Sequence, residues 1–198
     1  MTALSRFVVL ISGNGSNLQA VLDACSTGEL LAQVVCVISN KAEACGLIRA
    51  QKAGVEAVHF PKLINETRQR YDARLAEFVS SQQPDYVLLA GWMRILSNAF
   101  LGKFPNRVIN LHPALPGAFP GTHAIERSLE AYLHGEIQHT GVMVHLVPDE
   151  GVDNGPVLGK QVVYFKAGEN LEDFETRVHK VEHSLLVGTL KTFLRMNQ

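Results

Sequence analysis

The sequence lacks an excess of either charge, because 18 lysine and arginine residues are balanced by 19 aspartate and glutamate residues. A chain with a net charge of -1 has no broad basic surface for a nucleic-acid backbone, so we expect no nucleic-acid partner. Apolar runs of about 20 residues, the length that crosses a bilayer, are also missing. Gly, Asn, Lys or Asp interrupts every candidate run. We therefore expect no association with a membrane.

Cysteine is scarce, and the three cysteines, Cys25, Cys36 and Cys45, are odd in number and lack the close spacing of metal ligands. The eight histidines also lack ligand spacing, so no metal site is predicted. The chain begins without a charged and then apolar leader, which together with the cysteine pattern indicates a cytoplasmic protein. With 198 residues, of which 46% are hydrophobic, we predict one domain spanning 1–198.

Short β-branched stretches alternate with segments of helical periodicity along most of the chain. The predicted strands are 6–12, 33–39, 55–59, 86–90, 107–110, 140–147 and 156–165. The predicted helices are 18–25, 43–53, 66–81, 124–133 and 171–193. The central strands are apolar through their length, as expected when helices cover both faces of a sheet. The pattern predicts a single-domain, Rossmann-like α/β fold with a mostly parallel, twisted sheet.

A glycine-rich loop follows the first predicted strand and precedes the first helix. Its residues are Gly13, Asn14, Gly15, Ser16 and Asn17. Such a loop presents free backbone N–H groups to an anion, although a plain turn with a helix cap has the same composition. The loop lacks the Gly-Lys-Ser/Thr ending of a nucleotide triphosphate loop and the third glycine of a dinucleotide loop. A phosphate monoester is therefore favoured over ATP or NAD.

Asn110 and His112 close a predicted central strand, at the edge where open α/β sheets build their sites. Residues two apart in a strand face the same side, so the amide and the imidazole can converge on one group. Asp153 lies in a polar loop between two later strands. If that loop folds over the strand edge, its carboxylate would raise the pKa of His112. His145 is expected to be a core histidine or to support the site, and His123 is a weaker candidate for support.

Several motifs resemble those of the phosphoribosylglycinamide formyltransferases, a folate-dependent family of purine biosynthesis. They occur in the family's order and cover nearly the whole chain. They are ISGNGSNL at 11–18, AGWMRILS at 90–97, NLHP at 110–113, PGTH at 120–123 and DNGP at 153–156. Two departures are a proline one position early after His112 and one extra residue between His145 and Asp153. Both departures lie in loops beside the expected site. They bear on the shape of the loops around the pterin ring of the folate and not on the type of reaction.

The resemblance implies a formyltransferase fold and a role for each matching residue. The residues implied to be catalytic are Asn110, His112 and Asp153. The glycine-rich loop would hold the substrate phosphate, and Glu182 the ribose. The residues implied to bind folate are Arg68, Trp92, Met93, Arg94, Ile95, Leu96, Val147 and Asp149. The partners would be two small molecules, 10-formyltetrahydrofolate as co-substrate and glycinamide ribonucleotide, bound by a monomer or a homodimer.

The mechanism that we expect from these roles is direct attack of the substrate amine on the formyl carbon. His112, kept protonated by Asp153, and the amide of Asn110 would stabilise the oxyanion. A formyltetrahydrofolate hydrolase could use the same residues to direct water, but such enzymes usually carry an extra amino-terminal domain, for which we expect no room before the first strand. A methionyl-tRNA formyltransferase would need a further carboxyl-terminal domain. A non-catalytic module that binds phosphate sugars or folate is the remaining alternative.

Overall fold

The alternating segments fold into one seven-stranded sheet with helices on both faces. The structure is a computed structural model and describes residues 4–197. The strands are β1 (Ser5–Ile11), β2 (Ala32–Ser39), β3 (Glu56–His59), β4 (Tyr86–Leu89), β5 (Val108–His112), β6 (His139–Leu146) and β7 (Val157–Tyr164). The helices are α1 (Ser16–Ser26), α2 (Cys45–Lys52), α3 (Arg68–Ser81), α4 (Asn98–Leu101), α5 (Ala124–Leu133) and α6 (Leu171–Met196).

The strand order is β3-β2-β1-β4-β5-β6-β7, and the first five strands of that order are parallel. β6 and β7 add to the edge in antiparallel pairing. The chain runs outward from β1 to β3 and then returns to β4 on the other side of β1. The connections after β1 and β4 therefore leave the sheet in opposite directions, which opens a crevice at the carboxyl ends of these strands.

Alternate residues of β1 pack into two separate hydrophobic cores, one on each face of the sheet. Phe7, Val9 and Ile11 belong to the apolar cluster that contains α1 and α6, whereas Val8 and Leu10 belong to the cluster that contains α3 and α4. All five side chains are completely buried. Apolar residues on both faces of a strand are what a doubly covered parallel sheet requires. The predicted fold class is thereby confirmed.

All seven predicted strands and all five predicted helices are present; α5 has its predicted bounds, and the other elements are shifted at one or both ends. β5 extends two residues beyond its predicted end, to His112, because it pairs with β6 that far. α3 begins at Arg68 rather than at 66, because the Thr67 side chain accepts a hydrogen bond from the N–H of Arg70 and caps the helix. The four-residue α4 was not predicted. No helix within residues 4–197 has the length and apolarity to cross a membrane.

Tyr71 on α3 provides a test of the packing behind the crevice. Its side chain is completely buried, and its hydroxyl donates a hydrogen bond to the carbonyl of Phe60 at 2.9 Å. Tyr71→Phe leaves that carbonyl unpaired, so we expect the free energy of unfolding to fall by about 1 kcal/mol. Urea denaturation measures this change. Tyr164→Phe is the control because Tyr164 is 69% exposed, and equal stability of both variants would contradict the expectation.

Candidate active site

A cleft of about 660 Å³ lies at the carboxyl ends of β4 and β5. Its walls contain all three residues expected to be catalytic and all eight expected to bind folate. The loop between β6 and β7 folds back over this edge, and the N–H of Leu146 closes it by donating to the carbonyl of Pro156 at 2.9 Å. A Cβ atom at Gly155 would lie 1.9 Å from the carbonyl oxygen of Leu146, so only glycine fits there. This closure brings Asp153 over β5.

The carboxylate of Asp153 joins four groups from separate parts of the chain. Its Oδ1 accepts a hydrogen bond from Asn110 Nδ2 at 3.0 Å and lies 3.5 Å from His145 Nε2. Its Oδ2 accepts from the N–H of Gly121 at 2.8 Å and lies 3.3 Å from His112 Nδ1. Burial raises the pKa of Asp153, but its interactions with neighbouring groups, among them the N–H of Gly121 and the ring of His112, outweigh burial and hold that pKa below its usual range. Asp153 is therefore ionised at neutral pH.

His145 and Asn110 form a cross-strand pair between β5 and β6. His145 Nδ1 donates to the carbonyl of Leu146 at 2.8 Å, since a carbonyl can only accept. The amide nitrogen of Asn110 can only donate, so His145 Nε2 accepts its second N–H at 3.1 Å. Both N–H bonds of the Asn110 amide are thus engaged. Donation from this amide to an oxyanion stays a prediction, and it requires that the hydrogen bond to Asp153 or to His145 opens.

His112 lies with acceptors on both sides of its ring. Nε2 faces the carbonyl of Phe119 at 3.0 Å, and Nδ1 faces the carboxylate of Asp153. An imidazolium would satisfy both contacts, but the side chain is only 6% exposed. Burial lowers the pKa of His112, and Asp153 and Phe119 only partly offset that effect. The prediction that Asp153 keeps His112 protonated is therefore wrong for this state, because desolvation of the charged ring outweighs the carboxylate.

The glycine-rich loop lies beside the cleft and is joined to it through Ser12. The hydroxyl of Ser12 donates to Asn40 Oδ1 at 2.7 Å and accepts from the N–H of Met93 at 2.9 Å. Glu182 of α6 is 4% exposed, and its Oε2 accepts hydrogen bonds from Asn17 Nδ2 at 3.3 Å and His179 Nδ1 at 2.6 Å. The loop and the acid expected to contact ribose are therefore adjacent.

Comparison with known proteins identifies the family. The formyl transferase family matches residues 5–190. A phosphoribosylglycinamide formyltransferase of Dictyostelium discoideum is 42% identical over 196 residues, which cover 92% of this chain and 95% of that protein. The corresponding protein of Escherichia coli strain K12 is 43% identical over 180 residues, which cover 91% and 82%. The chain belongs to the formyl transferase family. The resemblance inferred from the motifs is confirmed.

Solved structures of this family share the whole architecture. Glycinamide ribonucleotide transformylase 1 from Symbiobacterium toebii superimposes with a TM-score of 0.91 at 40% identity, over 98% of this chain and 89% of that chain. Phosphoribosylglycinamide formyltransferase from Bacillus halodurans superimposes with a TM-score of 0.91 at 31% identity, over 98% and 97%. The α/β domain is therefore a formyltransferase fold.

In this formyltransferase, the segment after β4 forms an apolar wall of the cleft. Met93 and Ile95 expose 62% and 47% of their surface there, although both are large apolar residues. The segment is held from behind, because the N–H of Ser97 donates to Asp72 Oδ2 at 2.7 Å. Arg68, expected near the folate tail, forms an ion pair with Glu150. An anionic tail would have to compete with Glu150 for this guanidinium.

Three groups near the site were not predicted: the carbonyl of Phe119, the N–H of Gly121 and the imidazole of His179. The first two are backbone groups, whose direction no sequence pattern indicates. Phe119 has a φ of 45°, a conformation that a phenylalanine rarely adopts. The pKa of His179 is raised mainly by its hydrogen bond to Glu182. His123 lines the cleft, but its Nδ1 donates to Glu126 at 2.9 Å rather than joining the cluster.

No cluster of three or more potential metal ligands from His, Cys, Asp and Glu occurs in the part of the chain that the structure describes. Asp153 accepts hydrogen bonds from two amide groups and lies within 3.5 Å of two imidazole nitrogens.

The protonation of His112 can be tested directly. Because burial lowers its pKa and Asp153 partly restores it, we expect His112 to titrate below about 6.5 in the wild-type protein and lower still in Asp153→Asn. NMR titration of ¹⁵N-labelled imidazoles measures both values. Asp149→Asn, in the same loop, is the control and should leave the pKa of His112 unchanged. A wild-type midpoint above 6.5 would show that the carboxylate outweighs burial.

Proposed function

We propose that this chain transfers the formyl group of 10-formyltetrahydrofolate to the amine of glycinamide ribonucleotide, a step of purine biosynthesis. The observation that carries the proposal is the Asp153 cluster, which shares its cleft with an apolar wall that a hydrogen bond from Met93 to Ser12 connects to a phosphate-type loop. Relatives that carry the name phosphoribosylglycinamide formyltransferase match along nearly their full length. Such a cleft suits two substrates, a formyl donor with a flat ring and a formyl acceptor with a phosphate.

We propose a binding role for each group of residues around the cleft. The folate would occupy the cleft, with its ring against the segment that contains Trp92, Met93, Arg94, Ile95 and Leu96, and with Val147 and Asp149 on the facing loop. Arg68 would meet the acidic tail. The ribonucleotide would place its phosphate on the loop at 13–17 and its ribose on Glu182. All of these residues belong to one chain, so the site needs no second subunit, and a monomer or a homodimer can form it.

The reaction needs one proton to leave the attacking amine and one to reach the folate nitrogen. The amine nitrogen bonds to the formyl carbon, and the bond from that carbon to the folate nitrogen then breaks. A neutral His112 beside an ionised Asp153 is a proton acceptor, because the imidazolium would have hydrogen-bond acceptors at both ring nitrogens. We assign this pair to hold the proton between the two steps.

Asn110 has a different role from the one expected. Its two N–H bonds hold Asp153 and His145, so its Oδ1 is the atom left to receive a substrate donor. We assign Oδ1 to orient the attacking amine. Donation to the oxyanion would require that one of the two existing hydrogen bonds opens as the substrate binds.

We also propose that the protein works in the cytoplasm. Its three cysteines are unpaired, which is what a reducing compartment maintains. Both proposed substrates are small polar molecules, so no macromolecular partner enters the reaction.

An assay of formyl loss tests the function. We expect the purified protein to consume 10-formyltetrahydrofolate only when glycinamide ribonucleotide is present, with one formylated product for each folate released. Formyl loss without the amine would indicate a hydrolase, and binding without turnover would indicate a binding module. Either result would overturn the proposal.

The role of His112 has its own test. His112→Ala removes the proton acceptor, so we expect kcat to fall by at least about 100-fold, while circular dichroism shows an intact fold. His134→Ala is the matched control because the side chain of His134 is 63% exposed. Turnover of His112→Ala close to that of His134→Ala would refute the assignment.

A further inference from the structure

The glycine-rich loop is fastened to α2 by a residue that the sequence patterns did not single out. Arg49 Nε donates to the carbonyl of Asn14 at 2.8 Å, and Nη2 donates to Asn14 Oδ1 at 2.8 Å. Nη1 donates to Gln19 Oε1 of α1 at 3.3 Å. One guanidinium therefore holds a peptide group and a side chain of the loop together with the helix that follows it.

These contacts determine which way the peptide groups of the loop point. In a trans peptide the C=O and N–H bonds are coplanar and point in opposite directions. Arg49 holds the Asn14 carbonyl on the α2 side, so the N–H of Gly15 points away from α2. The carbonyl of Gly13 accepts from the N–H of Gly46 at 3.1 Å, so the N–H of Asn14 points away as well. Among the described residues, neither N–H has a hydrogen-bond acceptor.

The loop and α2 approach each other too closely for any residue larger than glycine. Gly15 has a φ of 74°, and a Cβ atom on it would lie 2.7 Å from the Cα of Gly46. This contact brings the side chain of Arg49 within reach of the loop backbone. Ion pairs in the described chain occupy Arg68, Arg74 and Arg177 but not Arg49. Its positive charge therefore remains available to an anion on the loop.

We propose that Arg49 is a positioning residue for the substrate phosphate. It keeps the Asn14 carbonyl turned toward α2, so that the N–H groups of the loop face the anion, and it adds one positive charge behind them. The proposal rests on the proposed function, because it takes the loop at 13–17 as the phosphate site. It extends that function by assigning phosphate recognition to a residue of α2, outside every motif of the family resemblance.

Steady-state kinetics with two acceptor substrates test the proposal. For Arg49→Met we expect the KM for glycinamide ribonucleotide to rise about 10- to 100-fold, with kcat and the KM for folate within about twofold of wild type. The KM for glycinamide ribonucleoside, which lacks the phosphate, should not change. Arg49→Lys keeps the charge but not the paired contacts with Asn14, so it should recover only part of the loss. Lys52→Met, at the exposed end of α2, is the charge-matched control.

Three outcomes would overturn the role of Arg49. They are an unchanged KM for the ribonucleotide in Arg49→Met, an equal rise for the ribonucleoside, and an equal effect of Lys52→Met. Calorimetric binding of ribose 5-phosphate separates this proposal from the proposed function. If Arg49→Met weakens the binding of ribose 5-phosphate, but neither wild type nor the variant transfers formyl groups, the proposed function fails and the role of Arg49 stands. If wild type binds ribose 5-phosphate no better than ribose, the role of Arg49 is overturned.

Discussion

The site depends on one buried carboxylate, that of Asp153. It is the only group of the cleft that contacts β5, β6 and the loop before α5 at once, through Asn110, His112, His145 and Gly121 among the residues described. The N–H groups of Asn110 and Gly121 that donate to this carboxylate offset part of the free energy that burial of its charge costs. Removing one partner would leave the others around a less stable anion, so the cluster acts as a unit. Its geometry follows from the closure of the loop between β6 and β7.

A second constraint joins the two substrate regions. Ser12 directly follows β1, and its hydroxyl bonds to both Asn40 and Met93, while its own N–H donates to the carbonyl of Gly91 at 3.0 Å. The phosphate-type loop and the apolar wall are thus attached to one serine at the point where the strand order reverses. This attachment sets the distance between the two regions. A reaction between two bound substrates needs such a preset distance, because misplacement of the reacting atoms slows the reaction.

The neutral state of His112 changes the mechanism that the motifs suggested. A permanently charged imidazolium would act mainly as an oxyanion donor, whereas a neutral ring beside a carboxylate acts first as a proton acceptor. The difference comes from burial, which penalises the charged ring more than one carboxylate at 3.3 Å restores. The carbonyl of Phe119, a residue with a positive φ, completes the environment of the ring at 3.0 Å from Nε2.

Hydrophobic periodicity is a local property, so the sequence was enough to predict every element except α4 in its chain order, and strand alternation placed Asn110 and His112 on the same side. Its motifs also determined the family. Three features depend on the assembled structure: the contacts of the Asn110 amide with Asp153 and His145, the burial that lowers the pKa of His112, and the hydrogen bonds of Arg49 to the loop at 13–17. The physical reason is that hydrogen-bond direction and desolvation depend on groups far away in the chain. Their distances arise only when the sheet and its loops assemble.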